Sequence, residues 1–201
     1  MAWKPDYATA TELAEYVTGI TDGVDADAAQ LAVTAASRAI DRDTNRQFGV
    51  EAAAVERFYT ARYDRDRRRW LVPIDDLMTT EDLVVTVVVT GADIDIFDLK
   101  PSNAAADGVP WEFLVVDPQS AALPNCDEDG VSVTALFGWT AVPDTIKQAT
   151  LLQASRLVTR RHAPFGVAGS PESGSEMRLL AKLDPDVSVT VGPYRRQWGA
   201  V

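Results

Sequence analysis

The chain has 201 residues, with 19 Lys plus Arg against 30 Asp plus Glu, for a formal net charge of −11 and a pI near 4.5. Hydrophobic residues make up 46% and charged residues 24%, the balance of a soluble globular protein with a real core. One cysteine excludes an intrachain disulfide framework and a multi-cysteine zinc site, one histidine excludes a histidine-rich metal centre, and no apolar run approaches the roughly 20 residues needed to cross a bilayer.

The first residues, Met1-Ala2-Trp3-Lys4-Pro5-Asp6, lack the apolar core of a signal peptide, so the expectation is a reduced, non-exported protein without a membrane partner. Residues 9–18 read as a short helix, with Thr9 or Thr11 as N-cap, Leu13, Tyr16 and Val17 on one face and Gly19 as its stop. A loop over 20–26 leads to a longer helix over 27–43. Asp27 and Gln30 have capping-box spacing, and Ala28, Leu31, Ala32, Ala35, Ala36, Ala39 and Ile40 recur at helical intervals. The small side chains suit close approach of a second helix, in the core or in a neighbouring subunit.

From Asn45 the pattern becomes β-rich. Strands are expected over 55–60 and 70–74, and the valine run 83–89 predicts a strong one. Gly91 turns the chain; Ile94, Ile96 and Leu99 suggest another strand, and 111–116 and 131–137 complete the set. Pro101, Pro110, Pro118 and Pro124 mark the connections.

Pro143 opens a second strong helix, 143–161. It carries two adjacent stripes: Ile146, Thr150, Gln153 and Leu157, then Leu151, Ala154 and Val158. That predicts a wide buried face. Residues 163–175 form a small-residue loop, and Ser175 is placed to cap a short helix over 176–183. Val187, Val189 and Val191 alternate with polar residues and predict a final strand before Tyr194, Arg195, Arg196 and Trp198. The expected fold class is therefore α+β. A helical bundle core (1–50 and 143–183) carries a β-rich insertion (51–142, strands about 55–137) and an extended C-terminal arm (184–201).

Catalytic chemistry is sparse. There is no phosphate-binding glycine loop and no His-Glu-x-x-His zinc motif. His162 lies beside Arg160 and Arg161, with no serine or cysteine near in sequence to form a triad. Cys126 sits among acids, where a thiolate is disfavoured. Carboxylates cluster at Asp93, Asp95 and Asp98 and at Asp127, Glu128 and Asp129, but the second group lacks the ligand spacing of an EF-hand. Solvated turns account for them better than a split-pKa acid pair. The expectation is no enzyme, no metal and no cofactor, with a carboxylate-dependent hydrolase as the remote alternative.

Charge identifies two candidate contact segments. Residues 62–69 hold Arg62, Arg65, Arg67, Arg68 and Arg69 with two aspartates. They read as a hairpin tip with internal ion pairs, as a docking loop for an acidic neighbour, another copy of this acidic chain included, or as a phosphate contact; dense arginine suits bidentate pairing in the last two cases. Tyr194, Arg195, Arg196 and Trp198 read as a partner-binding tail or as a segment folded into its own domain. The overall acidity argues against wrapping nucleic acid, yet suits a wall that DNA passes without adhering.

Several segments resemble a known family. They are Met1-Ala2-Trp3-Lys4-Pro5-Asp6-Tyr7, the helix Ala35-Ala36-Ser37-Arg38-Ala39-Ile40-Asp41-Arg42 with Thr44-Asn45-Arg46-Gln47-Phe48-Gly49, the approach Gly138-Trp139-Thr140-Ala141-Val142-Pro143, and Arg160-Arg161-His162-Ala163-Pro164-Phe165-Gly166-Val167-Ala168-Gly169-Ser170-Pro171-Glu172. Together these resemble head-to-tail adaptors (head–tail connector proteins) of tailed phages that infect actinobacteria. The resemblance covers both helical parts and most of the chain.

It implies a structural virion protein at the head–tail interface, assembled in the host cytoplasm. Its partners would be further copies of itself in a ring, usually twelve-fold, the portal protein, and a stopper or other downstream connector. DNA would pass through the channel without sequence-specific binding. A stopper or tail-completion protein is the alternative part. In a ring, Ala28, Ala32, Ala35, Ala39, Leu151 and Val158 are the candidates for core and subunit packing, and Asp22, Asp25, Asp27, Asp127, Glu128 and Asp129 for acids facing the lumen.

Overall fold

The computed structural model describes residues 4–17, 26–162, 167–168, 177–178 and 183–196. The chain divides into two compact units, Met1–Phe48 with Val142–Val201, and Gly49–Ala141. The described residues are α+β: five α-helices, two four-stranded antiparallel sheets and a two-stranded ladder.

In the first unit, α1 (Ala10–Tyr16) starts at a complete capping box: Glu12 N donates to Thr9 Oγ1 at 3.2 Å, and Thr9 N donates to Glu12 Oε2 at 2.9 Å. Leu13 is buried, whereas Tyr16 is exposed. Helix α2 (Ala26–Thr44) buries Ala29, Ala32, Val33, Ala36, Ser37, Ile40 and Thr44. Two hydroxyls join that stripe because they back-bond along the helix, Ser37 to the Val33 carbonyl at 2.9 Å and Thr44 to Ile40 at 2.8 Å. The stripe packs on α4 (Asp144–His162), where Leu151, Ala154 and Val158 complete the cluster.

The N-terminal segment lies on α2. Asp6 accepts from Gln30 and Thr34, both at 2.8 Å. Gln30 is thus engaged with Asp6, and Asp27 falls inside the first turn instead of capping it. Tyr7, 3% exposed, donates its hydroxyl to Asp41 and accepts from Phe48 N at 2.9 Å.

The strand expected at 187–191 is a helix, α5 (Pro185–Val191), followed by a 3-10 turn, Gly192–Tyr194. Asp184 caps it, accepting from Asp186 N at 2.7 Å, with Pro185 at the first helical position. Val187 and Val191, four residues apart, are fully buried, while Val189 is 79% exposed. The arm over 184–194 is accordingly not an extended strand. The helix expected at 176–183 is also corrected, because Met177–Arg178 pairs as a strand with Val167–Ala168. Of these two expected segments, residues 176, 179–182 and 197–201 lie outside the described residues.

The second unit is β-rich. One sheet has the order β1 (Val55–Tyr59), β8 (Val131–Ala135), β4 (Val84–Val87), β5 (Ala92–Asp93); the other has β2 (Arg62–Asp64), β3 (Arg69–Leu77), β7 (Trp111–Val116), β6 (Phe97–Lys100). A short helix, α3 (Ala104–Asp107), joins β6 to β7. The chain changes sheet four times: at buried Ala61, between β1 and β2, then between β3 and β4, between β5 and β6, and between β7 and β8. The alternate residues Val72 and Ile74, Val85 and Val87, Leu114 and Val116, and Val131, Val133 and Ala135 form the core, with Leu77 and Phe137. Arg57 stacks 4.4 Å from the Phe137 ring centroid and pairs with Asp75 at 2.6 Å and Glu51 at 3.1 Å.

Candidate functional site

The arginine-rich segment is a hairpin. β2 and β3 pair Arg62 with Leu71, Tyr63 with Trp70 and Asp64 with Arg69. The four-residue tip is ordered from within. Asp64 Oδ1 accepts from the backbone N–H of Asp66 at 3.0 Å and of Arg67 at 3.1 Å, and Arg68 takes the left-handed conformation at φ 54°. At its base the Tyr63 and Trp70 rings meet edge to face with centroids 5.1 Å apart. Arg69 is held by Asp98 at 3.4 Å and Asp117 at 3.3 Å. Arg65, Arg67 and Arg68 point to solvent; Arg67 is 82% exposed even though it reaches Asp64 at 3.5 Å. Arg62 is also exposed.

The C-terminal candidates are tied to their own unit. The Tyr194 ring packs edge-on against Phe48, centroids 5.6 Å apart, and its carbonyl accepts from Arg46 Nε at 2.7 Å. Arg195 pairs with Asp43 at 2.8 Å and donates to Ser188 at 2.6 Å. Arg196 N donates to the Thr44 carbonyl at 2.8 Å. Trp198 lies outside the described residues.

The alanine face is rotated from its expected phase. Ala35 is exposed, Ala28 and Ala39 are half-buried, and Leu31 is 71% exposed. Ala32, Leu151 and Val158 are buried within the unit, so these three serve its core and leave no free face. Alanine on several sides of α2 gave the periodicity no unique phase; buried Ser37 and Thr44 set it.

The acids Asp127, Glu128 and Asp129 are exposed on the loop before β8. Backbone bonds seat that loop: Gly130 N to the Asp127 carbonyl at 3.2 Å, Asp129 N to Thr60 Oγ1 at 3.0 Å, and Val88 N to the Gly130 carbonyl at 3.0 Å. Exposed Cys126 sits beside them. Asp27 is exposed at the start of α2; Asp22 and Asp25 lie outside the described residues. Asp95 closes a turn, accepting from Ser120 Oγ and Ala121 N, both at 2.8 Å, and these bonds lower its pKa. Among the described residues no group of three or more His, Cys, Asp or Glu is placed to hold a metal, and no helix is long and apolar enough to cross a membrane.

Sequence reasoning missed one surface element. Val88 and Val89, read as strand interior, form the exposed β4–β5 turn, at 44% and 74% exposure, beside the acidic loop. Gly91, with φ 65°, was the available sign that the strand ends early.

The architecture is thus a helical unit interrupted by a two-sheet β unit. No family model matches the sequence, and no curated protein matches it. Solved structures share the fold along its length. A chain from the virion of a native gene transfer agent (GTA) particle aligns over 100% of this chain and 96% of its own, with TM-score 0.56 and 21% identity. A chain from the neck of a native GTA particle, computed with C12 symmetry, aligns over the same shares with TM-score 0.56 and 19% identity.

Proposed function

We propose that the protein is a structural component of a virion neck, a head-to-tail adaptor that forms a ring beneath the portal, extends the DNA channel and carries the stopper or tail. The observation that carries this reading is the likeness, spanning the whole chain, to a chain of a C12-symmetric neck. The sequence resemblance to adaptors of actinobacteria-infecting phages points the same way and supports the adaptor layer over a stopper. In this reading the helical unit is the connector core and the work is assembly, with no catalytic step.

The charge supports the reading. Twelve copies at −11 each make a strongly acidic ring. An acidic lumen repels the phosphates of passing duplex and keeps it from adhering. The exposed acids Asp127, Glu128 and Asp129 are proposed to face that lumen. The exposed side of α2, with Leu31 and Ala35 beside half-buried Ala28 and Ala39, is proposed as part of the seam between copies.

Electron microscopy of the protein mixed with the portal ring of its own virion, beside the protein alone, tests this. The expected result is an added ring layer on the portal, which also gives the symmetry. A protein that leaves the portal bare overturns the adaptor reading and shifts the assignment to a later connector or tail part.

A further inference from the structure

The β2–β3 hairpin is the basic pole of an acidic molecule. Residues 62–69 carry five arginines and two aspartates, a charge of +3; set against the total of −11, the rest of the chain carries −14. Arg69 anchors the base on Asp98 and Asp117, and Arg67 reaches Asp64. Among the described residues Arg65 and Arg68 make no ion pair within the chain, although acids outnumber bases by 30 to 19.

The tip is also built before it meets anything. Asp64 holds the turn through two backbone N–H groups, and the Tyr63–Trp70 pair stiffens the stem. With the backbone of the tip already fixed, docking has only the arginine side chains to order, and more of the interaction energy is kept.

We infer that the hairpin tip, Arg65, Arg67 and Arg68, docks on the acidic surface of a second copy of this chain and closes the seam between neighbours in the ring. The inference rests on the ring reading above. Charge complementarity selects the occupant: each neighbour offers −14 outside its own hairpin. The contact is heterologous, a basic finger on one copy against carboxylates on the next, which is the type that propagates around a ring. DNA is the less favoured occupant, because a tip that gripped phosphates would act against the repulsion supplied by the remainder of the chain.

The test titrates the full-length protein, wild type and the Arg65→Glu/Arg68→Glu variant, onto isolated portal rings and counts bound copies per ring by electron microscopy. Both substituted positions are exposed and outside the hairpin's anchoring contacts, and an unchanged thermal midpoint verifies the fold. Wild type is expected to cap cooperatively, with portals either bare or fully ringed at limiting protein. The variant is expected to leave partly occupied portals and to need about tenfold more protein or beyond for complete rings. Raising salt should move the wild type toward the variant's behaviour.

A variant that completes rings at the wild-type concentration overturns the inference and leaves the adaptor reading standing. A variant that fails to attach even single copies makes the portal the occupant, and one that caps normally but no longer retains duplex DNA makes it DNA; either overturns the inference. A wild type that never caps the portal overturns the adaptor reading itself.

Discussion

Gly138 lies against Gly49 so closely that a Cβ on Gly138 would overlap the Gly49 carbonyl oxygen and stand 3.0 Å from its carbonyl carbon. The approach is fixed on both sides. Gly138 N donates to the Asp76 carbonyl at 2.7 Å, and Trp139 N donates to the Gly49 carbonyl at 3.2 Å. Gly138 also holds φ 112°, which L side chains rarely adopt. Gly138→Ala should therefore cost about 3 kcal/mol or more, strain and overlap together. Gly91→Ala is the control: φ there is 65°, but the added methyl meets open space, so the cost should stay near ~1 kcal/mol. Urea unfolding of the two variants measures the difference, and equal losses would refute the close-approach argument.

The neighbouring residue ties the β unit through a side chain. Trp139 Nε1 donates to Asp76 Oδ2 at 2.8 Å, with both residues almost fully buried. Trp139→Phe keeps a ring in place but leaves a buried carboxyl oxygen without this donor. The expected loss is about 1–3 kcal/mol. A loss under about 0.5 kcal/mol by chemical denaturation would mean the bond contributes nothing net.

Two tyrosines make the fold sensitive to high pH. Burial raises the Tyr7 phenol above its ordinary value, and the Asp41 carboxylate adds to the shift. Tyr59 is raised by burial and then by the Asp75 carboxylate. The folded pKa exceeds the unfolded value of 10.0 in both cases. Their contribution is thus complete below pH 10 and is lost as pH rises above it, because the unfolded chain releases the protons more readily. Phenolate absorbance near about 295 nm, followed with far-UV circular dichroism, should show these two ionising only as secondary structure is lost. Tyr7→Phe and Tyr59→Phe should each remove one phenolate from that coupled step. Full ionisation with the dichroism intact would refute the assignment.

Most regular elements were legible because their periodicity and their punctuation agreed. Residues 111–116 were expected as a strand and form β7, and 27–43 lies within α2. The misreadings have local causes. β2 carries no apolar alternation of its own; its pairing is imposed by Leu71 and Trp70 on the opposite strand. Within α2, alanines on several sides allowed more than one phase. At the candidate contact surface, five arginines in eight residues already implied an exposed tip. The partners of Arg69 and Arg195 were invisible because Asp98, Asp117 and Asp43 lie far away along the chain and meet them only through the tertiary fold.

α5 is the sharpest misreading and yields the most discriminating prediction. Val-Ser-Val-Thr-Val alternates with period two and is β-branched, so it reads as a strand. Asp184 followed by Pro185 is an N-cap and a first helical position, a helix-start signal that the valine alternation outweighs on paper. Burial separates the two readings. A half-buried strand would place Val187, Val189 and Val191 on one face; the helix buries Val187 and Val191 and turns Val189 outward at 79% exposure. The cap is itself anchored in the unit, with Asp184 paired to Arg156 and its N–H donating to Gln153 Oε1 at 3.1 Å. Val189→Ser should change stability by less than about 0.5 kcal/mol, whereas Val191→Ser should cost about 2 kcal/mol or more through lost packing and a buried hydroxyl. Thermal or urea unfolding of the pair decides it. Comparable losses at 189 and 191 would restore the strand, and with it an arm free to leave the helical unit.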